Sequence, residues 1–245
     1  MMPRPVGTGV AAPDADAAFE HATRACRGVQ SIQAELGLAG KIGHQRIPGL
    51  AGATIGAAMT ADGAIGLEAR LSGQLLFRLG GTTDRAELLL THDNRVVRAR
   101  ADEIVDALIG VQITPAHFLS VLAGCVGRDG TVRGAQRFGD VIAVTTSDAT
   151  VYLQQSGAEW QVRAGDLASL HADYRESALG RPALIQLFSK AGQTPFVSLG
   201  IRVKAANVNP TIPAAAFSVN VPADAAPMTI EELRKSGPAG KDGVH

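Results

Sequence analysis

The chain has 245 residues, enough for one large β domain or two small ones with a full core. Lys plus Arg number 23 and Asp plus Glu number 23, so the basic excess that phosphate neutralisation requires is missing and no nucleic-acid partner is expected. Hydrophobic residues are 46% and aromatics only 4%, so the surplus is aliphatic. An interior cavity lined by Leu, Ile, Val and Ala would account for it, as would an Ala-rich proteome. No apolar run reaches the ~18 residues that a membrane-spanning helix needs. Residues 1–16 lack the apolar core of a signal peptide, so the chain either stays in the cytosol or acts after an export peptide has been removed.

The first element reads as a helix: Asp14 or Asp16 can cap it, and Ala18, Phe19, Ala22, Thr23 and Cys26 follow at helical spacing before Gly28. The period then becomes two. Ile32, Ala34, Leu36, Leu38 and Ile42 share one face of a strand, with Gln33, Glu35 and Lys41 on the other. Ile65, Leu67, Ala69 and Leu71 alternate likewise, then Leu75, Phe77 and Leu79 up to Gly80-Gly81. Residues 86–90 run into a turn at His92-Asp93-Asn94, and Val96-Val97 begin the return, which makes an antiparallel meander.

Helical spacing interrupts the meander. Ile104, Val105, Leu108 and Ile109 form a stripe that stops at Gly110. Thr114-Pro115 is an N-cap with proline at the first helical position, followed by Phe118, Leu119 and Leu122 up to Gly124. Helices are therefore predicted over 102–109 and 115–123. Period two resumes at 141–144, 151–153, 160–164, 183–188 and 197–203, and Thr229-Ile230-Glu231-Glu232 opens a last helical turn that Gly237-Pro238 stops. These elements predict a mainly β fold with some α: an antiparallel curled sheet, an incomplete β-barrel of about 10–11 strands, with short lid helices over its open side. One domain is expected over 14–237, between a flexible segment at 1–13 and a disordered tail at 238–245.

Catalytic patterns are missing. His21, His44, His92, His117, His171 and His245 make no H-E-x-x-H and no cluster with metal-ligand spacing. There is no G-x-S-x-G elbow, P-loop or G-x-G-x-x-G. Glu35, Glu68, Glu87 and Glu103 lie on outer faces or helix ends rather than as a dyad, and the arginines of 95–100 read as a solvated face. No enzyme, metal or cofactor is expected. Leu122-Ala123-Gly124-Cys125 mimics a lipobox but lies mid-chain without the segments that precede one. Cys26 ends the first helix and Cys125 the third. If both helices cover the same mouth of the sheet, their ends meet and a disulfide is expected; two buried free thiols are the alternative.

The stretch 101–124, with ADEIVDALIG and then ITPAHFLSVLAG, resembles the two lid helices of the LolA/LolB-like outer-membrane lipoprotein carriers. The helix leading into a long strand at 31–41 is similar, as are FRL at 77–79 before AELLL at 86–90. So are AFSVNVP at 216–222, resembling a last strand, and MTIEELR at 228–234. It is the order of these segments, spanning most of 16–237, that carries the resemblance. It implies a monomeric carrier or acceptor in the periplasm or at the outer membrane, which binds a lipid or lipoprotein acyl chain and meets periplasmic or outer-membrane carrier proteins. The alternative is an envelope lipoprotein whose half-barrel is filled by its own side chains. The expected lining is Ile65, Leu67, Leu75, Phe77, Leu88 and Leu90 from the strands, with Ile104, Leu108, Phe118 and Leu122 from the lid. The anchor cysteine expected of a LolB near the start of the chain is missing from this sequence.

Overall fold

Alternating segments become strands of one sheet. The structure, a computed structural model, describes residues 5–42, 45–46, 52–128, 130–178, 181–189 and 197–236. In chain order the elements are β1 (Val10–Ala11), α1 (Ala15–Arg27), β2 (Ser31–Ile42), β3 (Gln45–Arg46), β4 (Thr54–Thr60), β5 (Ala64–Leu71), β6 (Gln74–Thr82), β7 (Ala86–Leu90) and β8 (Arg95–Ala99). The lid follows as α2 (Ala101–Ile109) and α3 (Pro115–Ala123). Then come β9 (Val132–Phe138), β10 (Val141–Thr146), β11 (Thr150–Ser156), β12 (Glu159–Asp166), β13 (Leu170–Ala178), β14 (Arg181–Ser189) and β15 (Val197–Val208). A 3-10 turn (Ala214–Phe217), β16 (Ala226–Met228) and α4 (Ile230–Ser236) complete the order.

Two meanders, β4–β8 and β9–β15, are sewn together by β2, which pairs β15 along one side and β4 along the other. β1 extends the β9 edge and β16 runs parallel to β8 at the opposite edge, so the sheet does not close. A twisted sheet of this width cannot stay flat and must curl. Its inner face and the three helices α1, α2 and α3 form one continuous core, in which Phe19, Ile104 and Leu119 are buried with Leu79, Ile142, Ile185 and Ile201. Among the described residues no helix is long and apolar enough to cross a membrane.

Among the described residues sixteen strands form, more than the expected number, for identifiable reasons. β4 carries small apolar residues on both faces, so its period is hidden. β9 is half-buried to exposed throughout. β13 buries His171 and Asp173 on the face opposite Ala172 and Tyr174, which again conceals the alternation. The segment resembling a last strand is not one. Residues 214–217 turn and the chain then crosses the outer face of β5 and β6 at the paired glycines Gly66 and Gly80. A Cβ at Gly66 would strike the Ala216 carbonyl, and one at Gly80 would lie 2.9 Å from the Phe217 carbonyl oxygen. Arg78 fastens the crossing by donating to the Ala215 and Ser218 carbonyls at 2.9 and 3.1 Å.

The lid helices end where the residues direct. Thr114 accepts a hydrogen bond from the His117 amide, and Gly110 and Gly124 take left-handed φ of 70° and 79°. Asp14 stands at the N-cap of α1 but its side chain makes no cap bond. Arg137 donates to both Asp14 carboxylate oxygens at 2.6 and 2.7 Å, and this holds the Asp14 carboxyl below its usual range. The C-terminal end of α1 depends on Arg128, a buried cation donating to the carbonyls of Cys26 and Val29 at 2.8 and 2.7 Å. Arg128→Met keeps the apolar stem but leaves those carbonyls without the charged donor, and should cost ~2–4 kcal/mol. Urea unfolding measures it, and a change below ~0.5 kcal/mol would remove Arg128 from this role.

The capping box of α4 forms as read. Glu232 accepts from the Thr229 amide at 2.8 Å and from the Thr229 hydroxyl at 3.0 Å, while Arg95 reaches it from β8 at 3.0 Å. The Thr229 amide first, then Arg95, hold the Glu232 pKa down to about 2. A depressed folded-state pKa stabilises α4 fully above the ordinary glutamate range, and the contribution fades as pH falls towards 2. The Thr229 amide resonance should therefore titrate near pH 2, and Glu232→Gln should abolish that titration. A midpoint above 4 would contradict the assignment.

Candidate functional site

The lid presses on the sheet where its two halves meet. Leu36 and Leu38 of β2 and Leu199 and Ile201 of β15 form the seam. Ile55, Leu67, Phe77 and Leu187 flank it, and Val105, Leu108, Ile109, Ile113 and Phe118 face it from α2, α3 and their link. Between them remains a void of about 40 Å³ lined by apolar residues throughout. That is the room of roughly one or two water molecules, and an apolar void of this kind stays dry.

Four of the ten residues named from the sequence line this void: Leu67, Phe77, Leu108 and Phe118. Ile65, Leu88, Ile104 and Leu122 are buried in the same core, and Leu90 is half-buried against it. Leu75 stands apart. A bulge shifts the β5–β6 register between Ala69 and Arg70, and Leu76 rather than Leu75 packs on the core. The seam residues escaped the sequence reading because β2 meets β15 across some 170 residues of chain, a pairing no local pattern announces. The alternation of Leu36 and Leu38 was visible, but not what it would face.

Cys26 and Cys125 form a disulfide, with Cα atoms 5.9 Å apart. It ties the end of α1 to the chain just past α3, so the free-thiol alternative falls away.

Polar groups gather elsewhere. A hollow of about 610 Å³ lies on the outer face of β9–β11 and is lined by Arg133, Gln136, Thr145, Thr150 and Tyr152. It is open and lies across the sheet from the lid. Beside it one carboxylate ties three strands: Asp166 accepts from the Tyr152 hydroxyl at 2.8 Å and meets His171 Nδ1 at 2.8 Å. His171 Nε2 is buried without a hydrogen-bond partner, so no nucleophile is bonded to it. Three residues on three strands leave no sequence motif, and the network was missed. Glu35, Glu68 and Glu87 pair with Lys204, Arg70 and Arg98, and Glu103 reaches the Arg100 amide at the start of α2. Arg95, Arg98 and Arg100 each meet a carboxylate. Among the described residues no three His, Cys, Asp or Glu side chains gather as a metal site. His44 and His245 lie outside the described residues.

No protein-family model matches the chain. No curated protein matches it. Solved structures do. A LolA superfamily protein from Nitrosomonas europaea superposes with a TM-score of 0.53 at 10% identity, over 84% of this chain and 98% of its own. A DUF1329 family protein from Desulfovibrio piger gives 0.50 at 8% identity, over 83% and 96%. At such identities the likeness concerns architecture alone, and an open sheet curled around lid helices is the architecture shared. The chain has the LolA/LolB-like fold.

Proposed function

We propose that this protein is a non-enzymatic carrier or acceptor of the cell envelope that holds a lipid or lipoprotein acyl chain between sheet and lid. The observation that carries the reading is the wholly apolar void beneath α2 and α3, walled by both halves of the sheet. At ~0.8 kcal/mol per buried methylene, a chain of ten methylenes gains roughly 8 kcal/mol, enough to offset displacement of a short lid. A void of about 40 Å³ cannot hold such a chain, so binding requires α2 and α3 to move outward and Leu108 and Phe118 to exchange sheet contacts for lipid. Ile65, Leu88, Ile104 and Leu122, which pack in the same core, then become accessible, and Leu90 with them. The superposed LolA superfamily protein supports the reading through its fold. The disulfide fits an oxidising compartment such as the periplasm, where the partners would be lipoproteins and other carriers.

The same small void favours a second reading, a half-barrel filled by its own side chains that acts as an interaction module. Native mass spectrometry of the protein purified from a bacterial envelope separates the two. A lipid-sized mass adduct supports the carrier. A bare protein that also fails to bind added fatty acid gives the place to the interaction module.

A further inference from the structure

A second concavity, about 410 Å³, opens on the other side of α3, at the disulfide end of the half-barrel. Its walls are the C-terminal half of α1 through His21, Ala22 and Cys26, the end of α3 at Ala123 and Gly124, and β12 from Glu159 to Arg163. Tyr174, Pro182 and Val208 form its floor. The volume lies in the range of small-molecule sites.

Three features distinguish it from a packing defect. The Tyr174 hydroxyl is fully buried beside the Val126 backbone without a well-formed hydrogen bond, an arrangement that costs stability unless an acceptor is supplied for its proton. Burial pushes the phenol pKa far up, so the group keeps its proton and remains a donor. His21 lines the same groove. Its Nε2 is held by Glu159 at 3.1 Å, and its Nδ1 is buried without a partner. Finally, two Glu and two Arg line the groove, and only the Glu side chains are engaged. Glu159 is engaged with His21, and Glu176 with Arg202 at 3.2 Å. Arg163 and Arg181 also line the groove, and neither side chain has an ion pair or hydrogen bond among the described residues.

We propose that this groove binds an amphipathic anion, its phosphate or carboxylate meeting Arg163 and Arg181 and its apolar body lying on Val162, Pro182 and Val208 while Tyr174 donates to a buried oxygen. Guanidinium forks suit such oxyanions. The site is distinct from the apolar void under the lid and does not depend on the acyl-chain reading.

Trp160, the only tryptophan in the chain, lines the groove and reports its occupancy. Titration with n-octyl phosphate should shift the Trp160 emission with saturable, one-to-one binding, and n-octyl glucoside should do so at least tenfold more weakly. Arg163→Gln with Arg181→Gln, exposed or half-buried and unpaired side chains whose loss leaves the fold intact, should weaken octyl phosphate at least tenfold. Tyr174→Phe should weaken it several-fold while leaving the melting temperature unchanged or higher. Leu67→Glu should not affect it, which separates this groove from the void. Vesicles containing phosphatidic acid tell a membrane headgroup from a soluble ligand: a matching shift assigns the site to lipid, and silence assigns it to a small soluble anion. Equal affinity for the phosphate and the glucoside, or full binding by the double arginine variant, would overturn the proposal.

Discussion

Leu67→Glu should abolish binding of a fluorescent fatty acid at neutral pH. Leu67 lies on β5, 8% exposed, with its side chain on the apolar void opposite Phe118. The substitution removes ~1.5–3 kcal/mol of apolar burial and puts a carboxylate where no cation lines the void. The new carboxyl is driven towards its neutral form by desolvation. Its protonation at low pH removes the charge, so binding should recover in part near pH 5. A variant that binds as wild type at both pH values would take the void out of the mechanism. Phe118→Ala probes the opposite wall. It should cost ~3–5 kcal/mol, because the ring is nearly buried, yet bind fatty acid as well as wild type or better, since it widens the void and loosens the lid. A wild-type protein that binds no fatty acid while folded would hand the function to the interaction-module reading.

Removing the disulfide should have the largest effect on stability. Cys26 and Cys125 are 99 residues apart, and closing a loop of that length restricts the unfolded chain by ~4–5 kcal/mol in the chain-entropy description. For a chain of this size that corresponds to a fall of roughly 10–15 °C in melting temperature. Cys26→Ala with Cys125→Ala should show it, and wild-type protein under dithiothreitol should melt at the same lowered temperature. Identical midpoints for oxidised and reduced wild type would show that the bond constrains nothing. The double variant also frees α1 from the end of α3, so the groove lined by Trp160 should lose its shape before the sheet unfolds, and Trp160 emission should report that earlier step.

Much of the architecture was legible because both periods are local properties. Ile32, Ala34 and Leu36 against Gln33 and Glu35 can only be a half-buried strand, and the structure buries the first set and exposes the second. Thr114-Pro115 and the glycines at 110 and 124 delimit α2 and α3 by backbone chemistry that needs no partner. The expected lining was legible only in part, since alternation tells which residues turn inward but not which of them meet the lid. Leu75 shows the failure at one residue: a single-residue bulge reverses the faces, and period two carries no sign of it.

By itself, then, the sequence determined the type of most elements it read, the ends of α2 and α3, the aliphatic inner face and the mid-chain position of the lid. Each of these follows from side-chain spacing, caps and turns within a few residues. Only the tertiary structure decided that β2 lies between β15 and β4, that β16 runs parallel to β8, and that Gly66 and Gly80 admit the crossing chain. The meeting of Cys26 and Cys125 was expected from the ends of two helices and the structure bears it out, but the structure alone decided that Tyr174, His21, Arg163 and Arg181 border one groove. These are contacts between segments far apart in the chain. They are chosen by the twist and curl of the whole sheet and the burial of its inner face against three helices, a balance no local stretch of sequence contains.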